Sequence, residues 1–499
     1  LLASGNPEHQ GLVRRSVYQV IAKMKTQPVT QGMRSIPWYT AYNSLLLGEY
    51  FHATGDRSVL PYLKYQVDLS AESQLKPIDE TPKEWEAAQT AMQVGGWRQN
   101  SHTAPDRWKS GYGLMPHAGM PCVMGMLLAK EAGLEIDELA LQRGLDHFNK
   151  GRAEYGYVIY SYGDMLTDGP LPIDPEAEAE GMLWSFNGKL GAAAALYSMA
   201  GYRGSVAACA RPCTYGYNNT RHGHGGMFFN NFWTPIGAWA GGEKSFKHFM
   251  KGQTWWRELF RRHDGAFNQA GRGSIGVSFA LPYVAPKKRL RILGAPQSAF
   301  GTACPDYLKP AVAAHAGRDY ARCEKLILEQ KKNALPAEDL PAVNHRLESV
   351  RTLRESIAHD LTLTEKLLKD GKHYHASLEA AQLQRVVARD NQRLRGILAT
   401  LESPEGKALV KGHHDQCVKE QREAEVARKR KAAELEKTEN WVDLVSQETD
   451  KQAGDTWQIK IAESISQAPT DWASPDFNDT AWNSTTVPTS WCMYHTALF

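Results

Sequence analysis

Apolar residues recur at i, i+3, i+4 and i+7 through much of the chain, the spacing of helices that bury one face. Three segments share more than that spacing. Residues 38–56, 120–137 and 186–203 are each rich in Leu, Ala and Gly, and each runs to a glycine, Gly55, Gly133 or Gly201. A glycine just past the last turn adopts the left-handed conformation that ends a helix. Second, amphipathic helices are predicted at 58–74, 138–153 and 245–263. After each comes a short aromatic and glycine-rich stretch, at 95–100, 155–164 and 264–271. A chain that repeats inner helix, outer helix and Gly-aromatic loop buries its apolar faces only by stacking or by closing on itself. The small residues from Gly191 to Ala195 suit the close approach that this requires.

Beyond Pro305 the composition shifts to Ala, Leu, Glu, Lys and Arg in helical rhythm, with breaks at Pro336, Gly371 and Pro404. Residues 423–437 form a highly charged helix with little apolar face, a solvated connector. The last stretch turns to Thr, Trp, Ile and Val, and a β-rich module is predicted from about Trp457. The stretch 284–296 reads as a basic pair of surface strands. These shifts place boundaries at 1–304, 305–450 and 451–499. The chain opens as if inside a helix and stops as a new unit begins, so it is read as a fragment of a longer chain.

The hairpin arrangement of roughly residues 30–300 resembles the α/α toroids of terpenoid cyclases, prenyltransferase β-subunits and several polysaccharide lyases. Gly95-Gly96-Trp97 resembles the turn that follows a helix in pectate-lyase toroids. The segment also resembles a bacterial family of unknown function, which supplies no catalytic residues. Asp476-Phe477-Asn478-Asp479 ahead of Trp482, with Val487-Pro488 ahead of Trp491, is similar to the start of galactose-binding-like jelly rolls attached to glycosidases. The resemblances imply a mainly α protein: a toroid of helical hairpins, then a helical bundle or tetratricopeptide-like repeat, then the start of a β-sandwich.

Length and charge narrow the function. At 499 residues the chain is expected to hold about three domains. Lys+Arg 58 against Asp+Glu 55 leaves +3, a balance that argues against a nucleic-acid partner. No apolar run is long enough to span a membrane. Seven cysteines are too few for a disulfide-built scaffold. Cys209 and Cys213, four apart on a helix, read as buried thiols and not as zinc ligands.

The densest polar constellation is residues 213–235, read as a loop because Asn, Gly and Pro disfavour a helix there. Tyr217, Asn219, Arg221, His222 and His224 are its candidate catalytic groups, and Asn230, Asn231 and Trp233 are its candidate substrate contacts. Proton abstraction beside a uronic carboxylate uses Asn, His or Arg to neutralise the acid and Tyr or His to move the proton. His222 and His224 are also spaced as metal ligands are. No Asp, Glu or Cys follows at a suitable interval, so neither a metal nor a cofactor is expected. Hydrogen bonding to the loop's own backbone remains the third reading. One repeat earlier stand His102, Asp106, Arg107, Trp108, Tyr112 and His117, and Tyr162 and Asp164 occupy a matching loop. Repeat equivalence predicts that Trp97, Tyr162, His222 and Trp233 open on the same end. Trp97, Trp108, Tyr162 and Trp233 would then offer faces on which sugars stack. Glu178 and Glu180 read as an acidic turn ahead of a helix.

Two functions follow as expectations. One is a secreted or periplasmic lyase or hydrolase of an acidic polysaccharide, with a carbohydrate ligand. The other is a non-catalytic protein that binds a small molecule or serves as a scaffold.

Overall fold

The computed structural model describes residues 1–26, 36–77, 94–98, 114–150, 187–215, 228–261, 267, 275–302, 304–333, 335–388, 390–437, 455–459 and 483–487. Residues 1–413 form one compact unit and residues 414–499 a second. The described residues are mainly helical, with sixteen α-helices.

In the first unit α1 (Pro7–Thr26) precedes four hairpins. They are α2 (Ile36–Thr54) with α3 (Leu60–Glu72), α4 (Pro116–Glu131) with α5 (Glu138–Lys150), α6 (Asn187–Ala200) with α7 (Arg203–Tyr215), and α8 (Phe228–Ala240) with α9 (Glu243–Glu258). A shorter helix, α10 (Ile275–Val284), follows. The first helices pack in series, α2 on α4, α4 on α6, α6 on α8, each with its own second helix alongside. Composition explains the division of labour. In α4 every residue from Pro116 to Met126 is buried, so the helix belongs inside on all faces. Its partner α5 buries Ala140, Leu141, Leu145 and Phe148 and exposes Gln142 and Asp146, a single apolar face.

Glycine sets how near the first helices come. A Cβ on Gly125 would land on the Ser44 hydroxyl, and one on Gly48 would stand 2.7 Å from Leu128, so α2 and α4 meet almost backbone to backbone. Between α6 and α8 a Cβ on Gly191 would strike the Trp233 carbonyl, and one on Gly237 would come within 2.6 Å of the Gly191 Cα. Ala192 to Ala195 are wholly buried beside them. The predicted turn glycines are left-handed: Gly55 at φ 73, Gly133 at φ 85 and Gly201 at φ 83.

Two readings of the sequence are corrected. Residues 213–235 are not one loop: α7 runs to Tyr215 and α8 starts at Phe228, with residues 216–227 outside the described residues. Burial of Trp233, Ile236 and Ala238 overrides the poor helix propensity of Asn230, Asn231 and Pro235. The stretch 284–296 is not a strand pair. It makes two 3-10 turns, Ala285–Lys287 and Arg291–Leu293, and buries Ile292 and Leu293 in the core.

The same unit continues through α11 (Lys309–Ala316), α12 (Tyr320–Lys332), α13 (Leu340–Lys369), α14 (His373–Val386) and α15 (Gln392–Glu402). The change of composition at 305 is no gap in packing, because α13 lies along α1. Arg14 Nη1 meets Asp360 Oδ2 at 3.1 Å, and both side chains are buried. The Glu49 carboxylate accepts the backbone N–H groups of Arg291 and Ile292, each at 2.8 Å. Arg291 makes a two-pronged pair with Glu131 at 2.7 Å. Arg346 donates to the His52 carbonyl at 3.0 Å and to Ser298 Oγ, with Phe300 4.8 Å beneath it.

α16 (Pro404–Lys437) is a long charged helix, as its composition predicts. In the second unit Asp455–Ile459 pairs antiparallel with Asn483–Val487, Trp457 opposite Thr485, within the stretch read as β-rich.

Two outcomes test this packing. Gly191→Val should cost about 3 kcal/mol through overpacking, whereas Gly201→Ala, with open space around it, should cost only about 1 kcal/mol for its left-handed backbone. Urea titration reads both, and equal losses would contradict the close approach. The second outcome concerns pH. Burial pushes His52, His315 and His345 down to about 4, so below pH 6.5 the unfolded chain binds protons that the folded one refuses. Burial pushes Glu49 up to about 7, which acts with the opposite sign above its ordinary 4.5. Three groups oppose one, so stability should fall from pH 6.5 to 4.5, by at most on the order of 2 kcal/mol per pH unit. A urea midpoint that holds or rises from pH 7 to pH 5 would contradict this.

Candidate functional site

The first helices run parallel, because early residues touch early ones and late touch late. Tyr42 reaches the His117 carbonyl at 3.2 Å near the start of α2 and α4, and His52 reaches the Leu128 carbonyl at 2.9 Å near their ends. All four amino ends therefore lie together. Trp38 stands over Tyr42 with ring centroids 6.3 Å apart and against Phe229 at 5.3 Å, while His117 stacks on Phe229 at 4.4 Å. Asn230 Oδ1 accepts from the Gly188 N–H at 3.0 Å, so a side chain of α8 caps the first turn of α6.

Two prolines shape this end. Proline has no N–H, so a proline inside a helix leaves the carbonyl four residues earlier without its usual donor. Pro121 frees the His117 carbonyl and Pro235 frees that of Asn231. The first accepts from the Tyr42 hydroxyl, which itself accepts from Trp233 Nε1 at 3.3 Å. The second accepts from Arg257 Nη2 at 3.5 Å. Burial holds the Tyr42 phenol far above its ordinary pKa, so it stays a donor. Trp233, Tyr42 and His117 thus form one hydrogen-bonded chain across α8, α2 and α4.

Two buried basic side chains complete the end. Lys189, in the first turn of α6, is fully buried, and burial holds its amine well below the ordinary lysine range. Arg257 is fully buried where α9 ends beside the start of α8. It donates to the Phe279 and Asn231 carbonyls, lies 5.3 Å from the Phe279 ring, and has no carboxylate partner among the described residues. Burial lowers its pKa to about 10, which still leaves the charge in place at neutral pH. Neither amide atom of the buried Asn231 has a hydrogen-bond partner among the described residues. The amino ends of helices add partial positive charge. Together the Arg257 charge and the helix amino ends favour an anion.

Of the residues singled out in the sequence, Trp97, His117, Asn230, Asn231 and Trp233 are described, and all are buried. Tyr217, Asn219, Arg221, His222, His224, His102, Trp108, Tyr112, Tyr162 and Asp164 lie outside the described residues. Trp97 packs beside Gly119 near the start of α4, stacks on Phe148 at 6.4 Å and donates to the Ser70 carbonyl at 2.8 Å. Trp97 and Trp233 therefore share this end. Their exposures are 1% and 0%, so neither offers a face to a sugar as expected, and both anchor the core. Trp38, Tyr42, Lys189 and Arg257 were not singled out in the sequence. The i−4 offset from Pro235 marks Asn231 as needing a donor, but nothing local names Arg257 as that donor.

Tyr42→Phe removes the hydroxyl that joins Trp233 to His117 and should cost about 1–3 kcal/mol, because two buried partners lose their bond. Tyr39→Phe, at an exposed position, should change stability by less than about 0.5 kcal/mol. Thermal unfolding compares them, and a silent Tyr42→Phe would remove the hydrogen-bonded chain from the account.

No curated protein and no solved structure matches this chain. A family model described as a domain of unknown function, DUF6288, matches residues 1–294, which takes in all four hairpins and α10. The match covers more than half of the 499 residues, and the chain belongs to the DUF6288 family.

Proposed function

We propose that the hairpins of the first unit close into an α/α toroid and that this domain is a carbohydrate-active enzyme, a lyase or hydrolase of an acidic polysaccharide. The observation that supports this reading is the meeting of two fully buried basic side chains, Lys189 and the charged Arg257, with the amino ends of four parallel helices. Uronic carboxylates are what such an end would attract. The segments 99–113, 151–186 and 216–227 enter the helices from this end and carry the groups suited to the chemistry. In this reading Asn219 or Arg221 neutralises the carboxylate, and Tyr217 or His222 moves the proton, with His224 beside them. His102, Trp108, Tyr112, Tyr162 and Asp164 line the substrate path. The C-terminal strands would begin a galactose-binding-like sandwich, and the protein would act outside the cytoplasm.

The test is incubation of the full chain with a panel of uronic-acid polysaccharides, followed by the ultraviolet absorbance of unsaturated products and by reducing-sugar release. Activity should disappear in His222→Ala with the unfolding midpoint nearly unchanged. It should fall about a hundredfold in kcat/KM in Arg257→Met, a change that keeps the packing volume and removes the charge. Silence in both assays, together with saccharide binding by calorimetry, would replace the enzyme with the non-catalytic binding protein. An Arg257→Met protein with full activity would remove the cationic floor from the mechanism.

A further inference from the structure

At the opposite end, by the carboxyl ends of the first helices α6 and α8, lies a cavity of about 630 Å³, within the size range of small-molecule sites. Ser198 closes it from α6, Trp239 and Ala240 from α8, Phe246 and Met250 from α9, and residues 286–294 from the segment beyond α10. Its walls are mostly apolar and rigidly held. Trp239 packs edge-on against Phe246 at 5.1 Å, and its indole N–H is committed to the Leu293 carbonyl at 2.8 Å. Ile292 is pinned from behind through its backbone N–H to Glu49.

The charges at the mouth do not cancel. Glu243 pairs with Lys247 at 2.6 Å and also lies within electrostatic reach of Lys288, so one carboxylate faces two ammonium groups and a net positive charge remains at the mouth. Lys288 sits in the left-handed region at φ 48, a conformation that costs a side-chain-bearing residue energy and that glycine would take freely. Its ammonium stands 5.6 Å from the centre of the Trp239 ring, at the boundary between the apolar wall and water.

We infer that this cavity binds an amphipathic monoanion, an aromatic or medium-chain carboxylate, with its apolar body against Trp239, Phe246, Met250 and Ile292 and its carboxylate on Lys288. The site is separate from the amino end of the helices and does not rest on the polysaccharide reading. A polyhydroxylated ligand would gain little here, because the walls offer it few hydrogen-bond partners.

The test is calorimetric titration of the full chain with naphthoate and with octanoate, and with naphthalenemethanol as the uncharged comparison. Saturable binding of at least one carboxylate is expected, weakened about tenfold by Lys288→Gln, with naphthalenemethanol weaker by a similar factor. Met250→Trp, which fills the cavity from within, should abolish binding. Ser198→Phe fills it from an exposed position and serves if Met250→Trp fails to fold. No saturable heat from either carboxylate at millimolar concentration, binding undiminished by the filling variants, or naphthalenemethanol bound as tightly as naphthoate would each overturn the inference.

Discussion

The near contact of helix backbones governs this fold. Where Gly125 faces Ser44 and Gly191 faces Trp233, there is no room for a single added carbon, so the first helices cannot shift along or roll against one another. Everything else is fixed with respect to those contacts. The second helices lie over the outside, the left-handed glycines return the chain after each first helix, and the amino ends stay level with each other. Large side chains at the same positions would gain more apolar contact each, yet they would separate the helices that carry Tyr42, His117, Lys189 and Asn230.

That tight packing also explains why proline is tolerated inside first helices. A helix in water can turn a freed carbonyl toward solvent, but these helices are buried on nearly every side and the carbonyl must find a protein donor. Tyr42 and Arg257 supply it. The consequence is that polar side chains are required within the core at the amino end of the first helices. An arginine that serves a backbone carbonyl still holds a full charge and further N–H donors. Structural necessity has thereby stationed a buried cation at the amino end of the helices.

Much of the architecture was legible in the chain. Hairpins α2/α3 and α4/α5, together with α6 and α9, announce themselves because periodicity and a terminal glycine are local signals, and Gly55, Gly133 and Gly201 behave as such glycines must. What escaped notice depended on neighbours. The sequence of α8, with two asparagines, a proline and five large aromatics, reads as a loop by propensity. It is a helix because Trp233, Ile236 and Ala238 are enclosed by α6 and the residues beyond. Ile292 and Leu293 have the composition of a strand but no partner strand, and the left-handed Lys288 and Gly294 turn that stretch into the core. The site was legible only in outline. Repeat equivalence put Trp97 and Trp233 at one end of the helices, where the structure also has them, but no sequence signal distinguishes a buried core indole from an exposed one.

The pair formed by Arg14 and Asp360 spans 346 residues. When α1 leaves the ribosome, the helix it will lie against does not yet exist, and at ordinary elongation rates it will not exist for on the order of tens of seconds. Val13, Val17 and Ile21 join an apolar core built from residues before 294, so what waits through that interval is Arg14, an arginine that lacks its counter-charge. The region matched by the family ends at residue 294, before α13 begins, so that region does not contain Asp360, the carboxylate that meets its own Arg14. Synthesis therefore leaves this protein with an interval, set by topology, in which the arginine of α1 stands without its counter-charge until α13 arrives.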